Sequence, residues 1–213
     1  MSLKPDPIGL ALRHLREGLI QGAYAPGQAL PIGAVAQALG LSPTPVREAL
    51  ARLAGEGLVA PRDGGGYRVW PPDAVELADL YEAHLSAILA SLRIQLKAPG
   101  RVRAWRGGEG SLPLGDGVAD QVEAVFRRMV AACGNRHIVA WQQNLADRLA
   151  PARRVEPMVF PDVDDEASLL LEGLLHAPSL MVCGELVSAF HGRRRAAAEA
   201  LARAQRDQHS LAI

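Results

Sequence analysis

Residues 41–70 read LSPTPVREALARLAGEGLVAPRDGGGYRVW, and the order of residue types in this stretch decides the fold. Ser42 is a good helix cap, since its hydroxyl can accept from a free backbone N–H of the first turn. Pro43 takes the first helical position, where a missing N–H costs nothing, and Pro45 still falls in that turn. Val46, Ala49, Leu50 and Leu53 follow at i, i+3, i+4 and i+7 and form one apolar face. Thr44, Arg47 and Ala51 lie away from that face, with Arg52 on its opposite flank. The helix therefore packs on one side and offers a hydroxyl and a guanidinium near its N-terminus. Such groups suit phosphates and guanine edges.

The flanks agree with this reading. Upstream, IGAVAQAL over residues 32–39 forms a short helix with Val35, Ala36 and Leu39 facing in. Gly40 ends it, and LGLS makes the tight turn between two helices. Downstream, Gly57 stops the second helix, residues 58–60 begin a strand, 63–66 reverse it and 67–70 return. Three consecutive glycines at the tip, Gly65 among them, allow close backbone approach to a groove, and Arg62 and Arg68 flank the tip. The pattern predicts a winged helix-turn-helix over residues 1–72. One of its elements would enter the DNA major groove, which points to transcriptional regulation rather than catalysis.

The second half, residues 73–213, carries helical patterns and no strand pattern after Trp70, so it is read as an all-α helical bundle. Trp70-Pro71-Pro72 is a linker, and Asp73 caps a helix to about Lys97 with Leu77, Leu80, Tyr81, His84, Leu85, Ile88 and Leu92 on one face. Residues 98–117 are Gly-rich and read as an unusually long loop. Helical character resumes over residues 118–132 and again from Arg136 to Pro151, with Ile138, Leu145 and Leu149 facing in. Residues 156–164 read as irregular, and 169–175 as a buried helix. A last long helix begins at Pro178, with Met181, Leu186, Val187 and Phe190 inward and a solvated run at Arg193–Arg195. The fold class is mainly α.

Composition bounds the function. The 213 residues suffice for two small domains, and the formal net charge is zero. Residues 1–75 hold seven basic and six acidic side chains, so bulk charge does not argue for DNA binding; the positions of the arginines do. Cys133 and Cys183 lack ligand spacing and read as free core thiols. No signal peptide or membrane-span pattern is visible, and the chain is expected to be cytoplasmic. There is no Ser-His-Asp spacing, G-x-S-x-G, P-loop or HExxH, so no enzyme reading is supported.

Residues 9–70 resemble the GntR family of bacterial transcription regulators. The resemblance rests on Ala25-Pro26-Gly27-Gln28-Ala29-Leu30, on LGLSPTPVREAL, on Glu56-Gly57-Leu58-Val59 and on the Gly-rich wing. It implies that Ser42, Thr44 and Arg47 contact DNA from the recognition helix, with Arg52 and Gly65 as backbone or groove contacts, and that a homodimer binds a double-stranded DNA operator. Pro43 departs from the family, which usually has Arg there. The second half resembles the FCD-type domain of the FadR-like branch, through Asp79-Leu80-Tyr81-Glu82, Val125-Phe126-Arg127 and Ala132-Cys133-Gly134-Asn135.

That resemblance implies a helical cup for a small organic acid, in many members bound through a metal. The metal pattern, Asp-x-x-Phe-His plus two later histidines, falls here on Glu123, Phe126 and Arg127, with His191 the one matching imidazole. No metal and no other cofactor is therefore expected, and His84, Glu123, Arg127 and His191 are the candidate effector residues. Arg127 has two readings: an i, i+4 pair with Glu123, slightly favoured, or direct binding of an anionic effector. His84 reads more readily as a hydrogen-bonded core or interface histidine than as a ligand, and His137 and His176 as surface or loop residues. The alternative function is a winged-helix protein-interaction module with a degenerate, non-sensing helical domain.

Overall fold

The structure, a computed structural model, describes residues 6–97 and 118–210; the Gly-rich segment 98–117 lies outside them. The chain divides into two compact units, residues 1–72 with 205–213, and residues 73–204.

The first unit is built on α1 (Pro7–Gln21), β1 (Ala29–Leu30), α2 (Ile32–Ala38), α3 (Pro43–Gly55), β2 (Val59–Pro61) and β3 (Tyr67–Val69). Asp6 caps α1 by accepting from the Ile8 N–H, Pro7 opens the helix and Gly22 closes it at φ 75°. Ala11, Leu15 and Leu19 of α1 pack with Val46, Ala49, Leu50 and Leu53 of α3 and with Val35 and Ala36 of α2 in one core. Gly40 turns the chain between α2 and α3 at φ 63°, a conformation that costs a Cβ-bearing residue dearly.

The strands form an antiparallel sheet in the order β1-β3-β2, with Ala29 opposite Arg68 and Val59 opposite Val69. At the wing tip Gly64, Gly65 and Gly66 all have φ between 84° and 98°, and Arg62 N–H donates to the Gly66 carbonyl at 3.1 Å. The winged helix-turn-helix expected from residues 41–70 is thus present. Two details differ from expectation. The Ser42 hydroxyl makes no capping bond, although Ser42 occupies the cap position. β1 was not anticipated, because two residues carry no periodicity; it exists by pairing with β3.

The second unit begins with α4 (Ala74–Lys97), whose first turn is capped by Asp73 Oδ1 accepting from Glu76 N–H at 2.8 Å. There follow α5 (Val118–Ala131), α6 (Arg136–Arg154), α7 (Glu156–Val159), α8 (Val163–His176), α9 (Leu180–Ala196) and α10 (Ala198–Ser210), the last of which belongs to this unit as far as residue 204. No strand occurs among the described residues after Val69. One apolar core joins α4, α5, α8 and α9 around Ile88, Phe126, Met129, Leu174 and Val187. A second joins α4, α6 and α10 around Leu77, Tyr81, Leu149 and Leu201. Among the described residues no helix is long and apolar enough to cross a membrane.

The structure corrects the sequence reading at several points. α6 runs past Pro151 to Arg154, since Ala152 is fully buried and its packing holds the final turn despite the lost N–H. Residues 156–159 form a helical turn rather than irregular chain, and the last helix is broken between Ala196 and Ala198. Leu169 (69 % exposed), Leu175 and Met181 (71 % exposed) point outward, so the α8 and α9 faces are narrower than their apolar content suggested. Arg194, read as solvated, is fully buried.

Candidate DNA interface and buried polar cluster

The first site is the outer face of α3 with the wing. Because Val46, Ala49, Leu50 and Leu53 are buried, the helix is held with Thr44, Arg47, Ala51 and Arg52 exposed. Ser42, Arg62, Gly65 and Arg68 are exposed as well. With no capping bond of its own, the Ser42 hydroxyl is not committed to its helix. Arg16 of α1 pairs with Glu56 just past the end of α3, tying the recognition helix to its support. α2 exposes Gly33, Ala34, Gln37 and Ala38, a surface without charge. Positive groups therefore sit on α3 and on the wing, the elements that a helix-turn-helix directs at base edges and backbone.

The second site lies inside the helical unit. His84 and His191 are both fully buried. The Nδ1 atom of His191 lies 2.8 Å from the Val187 carbonyl oxygen, which only an N–H can satisfy, so Nε2 of His191 is an acceptor. His84 Nδ1–H donates to that Nε2 at 2.8 Å. Gln142 Nε2 donates to His84 Nε2 at 3.0 Å and to Glu123 Oε1 at 2.8 Å. One continuous chain of bonds thus fixes the tautomer of each ring. Burial is the main cause holding both imidazoles well below their ordinary pKa; the cations of Arg153 and Arg127 add to it at His84, and His84 and Arg153 add to it at His191.

Glu123 is the hub at the outer end of this chain. Arg127 Nε donates to its Oε1 at 3.1 Å, and Arg153 Nη1 donates to its Oε2. Arg127 also reaches Asp147 Oδ1 at 3.3 Å. The pair Arg127–Glu123 expected from the i, i+4 spacing is formed. His137 and His176 are exposed.

Gln142, Asp147 and Arg153 were missed as site residues, although for Gln142 and Arg153 a signal existed. Gln142, Leu145, Leu149 and Arg153 follow one inward helical stripe, and a polar residue on such a stripe needs a partner inside. The same reasoning applies to Arg194, which continues the stripe of Val187, Phe190 and His191 on α9.

The residues present do not fit the metal that the second-domain resemblance implies. Glu123 approaches His84 at Nε2, at 3.7 Å, whereas His191 meets the same ring at Nδ1, so the three side chains do not converge on one point. Two guanidiniums already occupy the carboxylate. Among the described residues no three His, Cys, Asp or Glu side chains group so as to hold a metal ion. Elemental analysis of protein purified without chelator is expected to find no stoichiometric zinc, nickel or manganese; one equivalent of metal would refute this.

Comparisons with known proteins bear on both units. The family of bacterial regulatory proteins, gntR family, matches residues 11–69. The chain is 27 % identical over 153 residues to the HTH-type transcriptional repressor GlaR of Escherichia coli (strain K12), covering 66 % of this chain and 70 % of that protein. The solved structure of E. coli McbR/YncC superposes with a TM-score of 0.62 at 17 % identity, over 92 % of this chain and 98 % of that one. A transcriptional regulator GntR from Rhodococcus sp. RHA1 gives 0.65 at 18 % identity, over 90 % and 96 %. At such identities these structures speak for the fold, a winged helix-turn-helix followed by a helical domain. The exposed arginine-bearing face of α3, the glycine wing and the family match over residues 11–69 together identify that segment as a DNA-binding domain of the gntR family of bacterial regulatory proteins.

Proposed function

We propose that residues 1–72 bind a specific operator as one half of a homodimer, and that residues 73–213 provide the dimer contact and sense a small organic acid. The observation that carries the DNA part is the exposure of Thr44 and Arg47 on a helix whose other face is fully buried. In this reading Arg47 reads a guanine edge, Ser42 and Thr44 meet phosphate or base, and Arg52, Arg62 and Gly65 meet the backbone or groove. A two-fold dimer of such domains would recognise a palindromic site.

The test is in vitro selection of bound duplexes followed by affinity measurement across salt concentrations. Selection should recover a palindrome, and affinity should fall steeply with salt. Arg47→Ala is expected to cost about 1–3 kcal/mol and to relax base preference at one position in each half-site. A selection without any enriched palindrome would overturn the reading.

The sensing part is supported by the buried chain His191–His84–Gln142–Glu123 and by Arg127 at its edge. Packing alone does not require so much buried polarity, and each group would be costly without its partner. Exposed apolar side chains on the helical unit, among them Trp141, Leu169 and Met181, support a self-association surface. Sedimentation at micromolar concentration should show a dimer, and titration of small carboxylic acids should change operator affinity. A monomer would overturn the dimer, and unchanged affinity across the acids would overturn the sensing.

A further inference from the structure

The arrangement around Glu123 goes further than a salt-bridge network. Three donors from two helices converge on this one carboxylate: Arg127 Nε from α5, and Gln142 Nε2 and Arg153 Nη1 from α6. Between them they supply both carboxylate oxygens with partners. The seat has more donor capacity than Glu123 uses, because Arg153 Nη2 is buried with no hydrogen-bond acceptor. A buried unsatisfied donor is costly, and a further oxygen there would remove that cost. The seat also lies at the edge of the bundle, since the Arg127 side chain is 44 % exposed while those of Glu123 and Arg153 are 11 % and 12 % exposed.

We propose that Arg127, Gln142 and Arg153 form a carboxylate-binding seat, that Glu123 fills it from within the chain, and that a small organic acid occupies it by displacing Glu123. The inference rests on the sensing reading above and gives it a location and a ligand chemistry. Charge favours an exchange over simple addition. Arg127 and Arg153 are balanced by Glu123 and Asp147, so an added anion would leave excess negative charge in a poorly solvated place. Replacing one carboxylate by another leaves that balance unchanged, and the solvent regained by Glu123 offsets the desolvation of the incoming acid. The guanidinium fork of Arg153 is shaped for two parallel bonds to a carboxylate. His84 and His191 take no part in the exchange, because their nitrogens are already bonded to each other, to Gln142 and to the Val187 carbonyl.

Chemical rescue tests the seat directly. Glu123→Ala removes the internal carboxylate and leaves three donors facing a vacant position. Thermal unfolding of this variant in the full chain should respond to sodium formate and sodium acetate saturably. A rise of about 3–6 °C is expected beyond that given by sodium chloride at equal ionic strength. Arg153→Met added to Glu123→Ala should abolish the difference. If Glu123→Ala does not fold in chloride, refolding yield becomes the readout, with recovery in formate and none in chloride. Equal responses to formate and chloride, or no response in either assay, would overturn the seat. The sensing reading fails separately. Rescue without any effect of acids on operator affinity of the unaltered protein would leave the seat and remove the sensor. An effect on operator affinity without rescue would do the opposite.

Discussion

Replacing Arg194 by methionine is expected to destabilise the helical unit by about 3–5 kcal/mol, the usual cost of leaving a buried charge without its partner. Arg194 is fully buried, and Glu156 opposite it is 2 % exposed. Its Nη2 donates to Glu156 Oε2 at 2.8 Å and its Nε to Oε1 of the same carboxylate at 3.2 Å. Nη1 donates to Glu166 Oε1 at 2.9 Å and to the Phe190 carbonyl at 3.2 Å. The guanidinium also stacks 3.3 Å from the centre of the Phe190 ring, which adds a cation–π attraction in a site with little water. Methionine keeps much of the volume but leaves Glu156 with the Tyr81 hydroxyl, 3.0 Å away, as its one remaining side-chain donor among these contacts. Pairing Arg194→Met with Glu156→Gln should recover a large part of the loss, because the stranded charge is then gone. Urea unfolding of the full chain followed by circular dichroism is the measurement. A loss below about 1 kcal/mol for Arg194→Met would mean that the carboxylates find water.

Acid should weaken the same unit through its two buried imidazoles. Burial, reinforced by nearby guanidiniums, holds His84 and His191 well below their ordinary range, so both stay neutral in the folded protein. In the unfolded chain they protonate near pH 6.5. A depressed folded pKa means that the unfolded state binds more protons below that point. The stability contributed by these groups is therefore complete well above pH 6.5 and declines as pH falls toward the folded values. Between the unfolded and folded values the decline approaches about 1.4 kcal/mol per pH unit for each such residue. Urea midpoints measured across that interval should fall accordingly. A variant carrying His84→Gln with His191→Gln should show a much flatter profile, whatever its absolute stability. An unaltered slope in that variant would assign the acid sensitivity to other groups.

The two units differ in how far their sequences could be read. Residues 41–70 announce themselves because every local signal agrees: Pro43 at the helix start, Val46, Ala49, Leu50 and Leu53 on one face, Gly57 at the stop and glycines at 64–66. These are short-range effects, fixed within one or two turns of chain. In the helical unit the helices were legible and their inward faces only partly so. Leu169 and Met181 are apolar and exposed, while Gln142, Arg153 and Arg194 are polar and turned inward. Apolar content does not decide facing when the partner helix is unknown, and a long polar side chain can be buried wherever another element brings an opposite charge.

The sequence by itself determined the winged helix-turn-helix, the exposure of Thr44 and Arg47, the all-helical character of the described second half and the Arg127–Glu123 pair. Each depends on residues close together in the chain, so propensity, capping and periodicity suffice. Only the tertiary structure decided that His84 bonds to His191, 107 positions away, that Gln142 joins the ring of His84 to Glu123, and that Arg153 reaches Glu123 from beyond a proline in its own helix. Those contacts span α4, α5, α6 and α9. Their partners are chosen by how four helices pack, and no local pattern encodes which buried donor will face which acceptor.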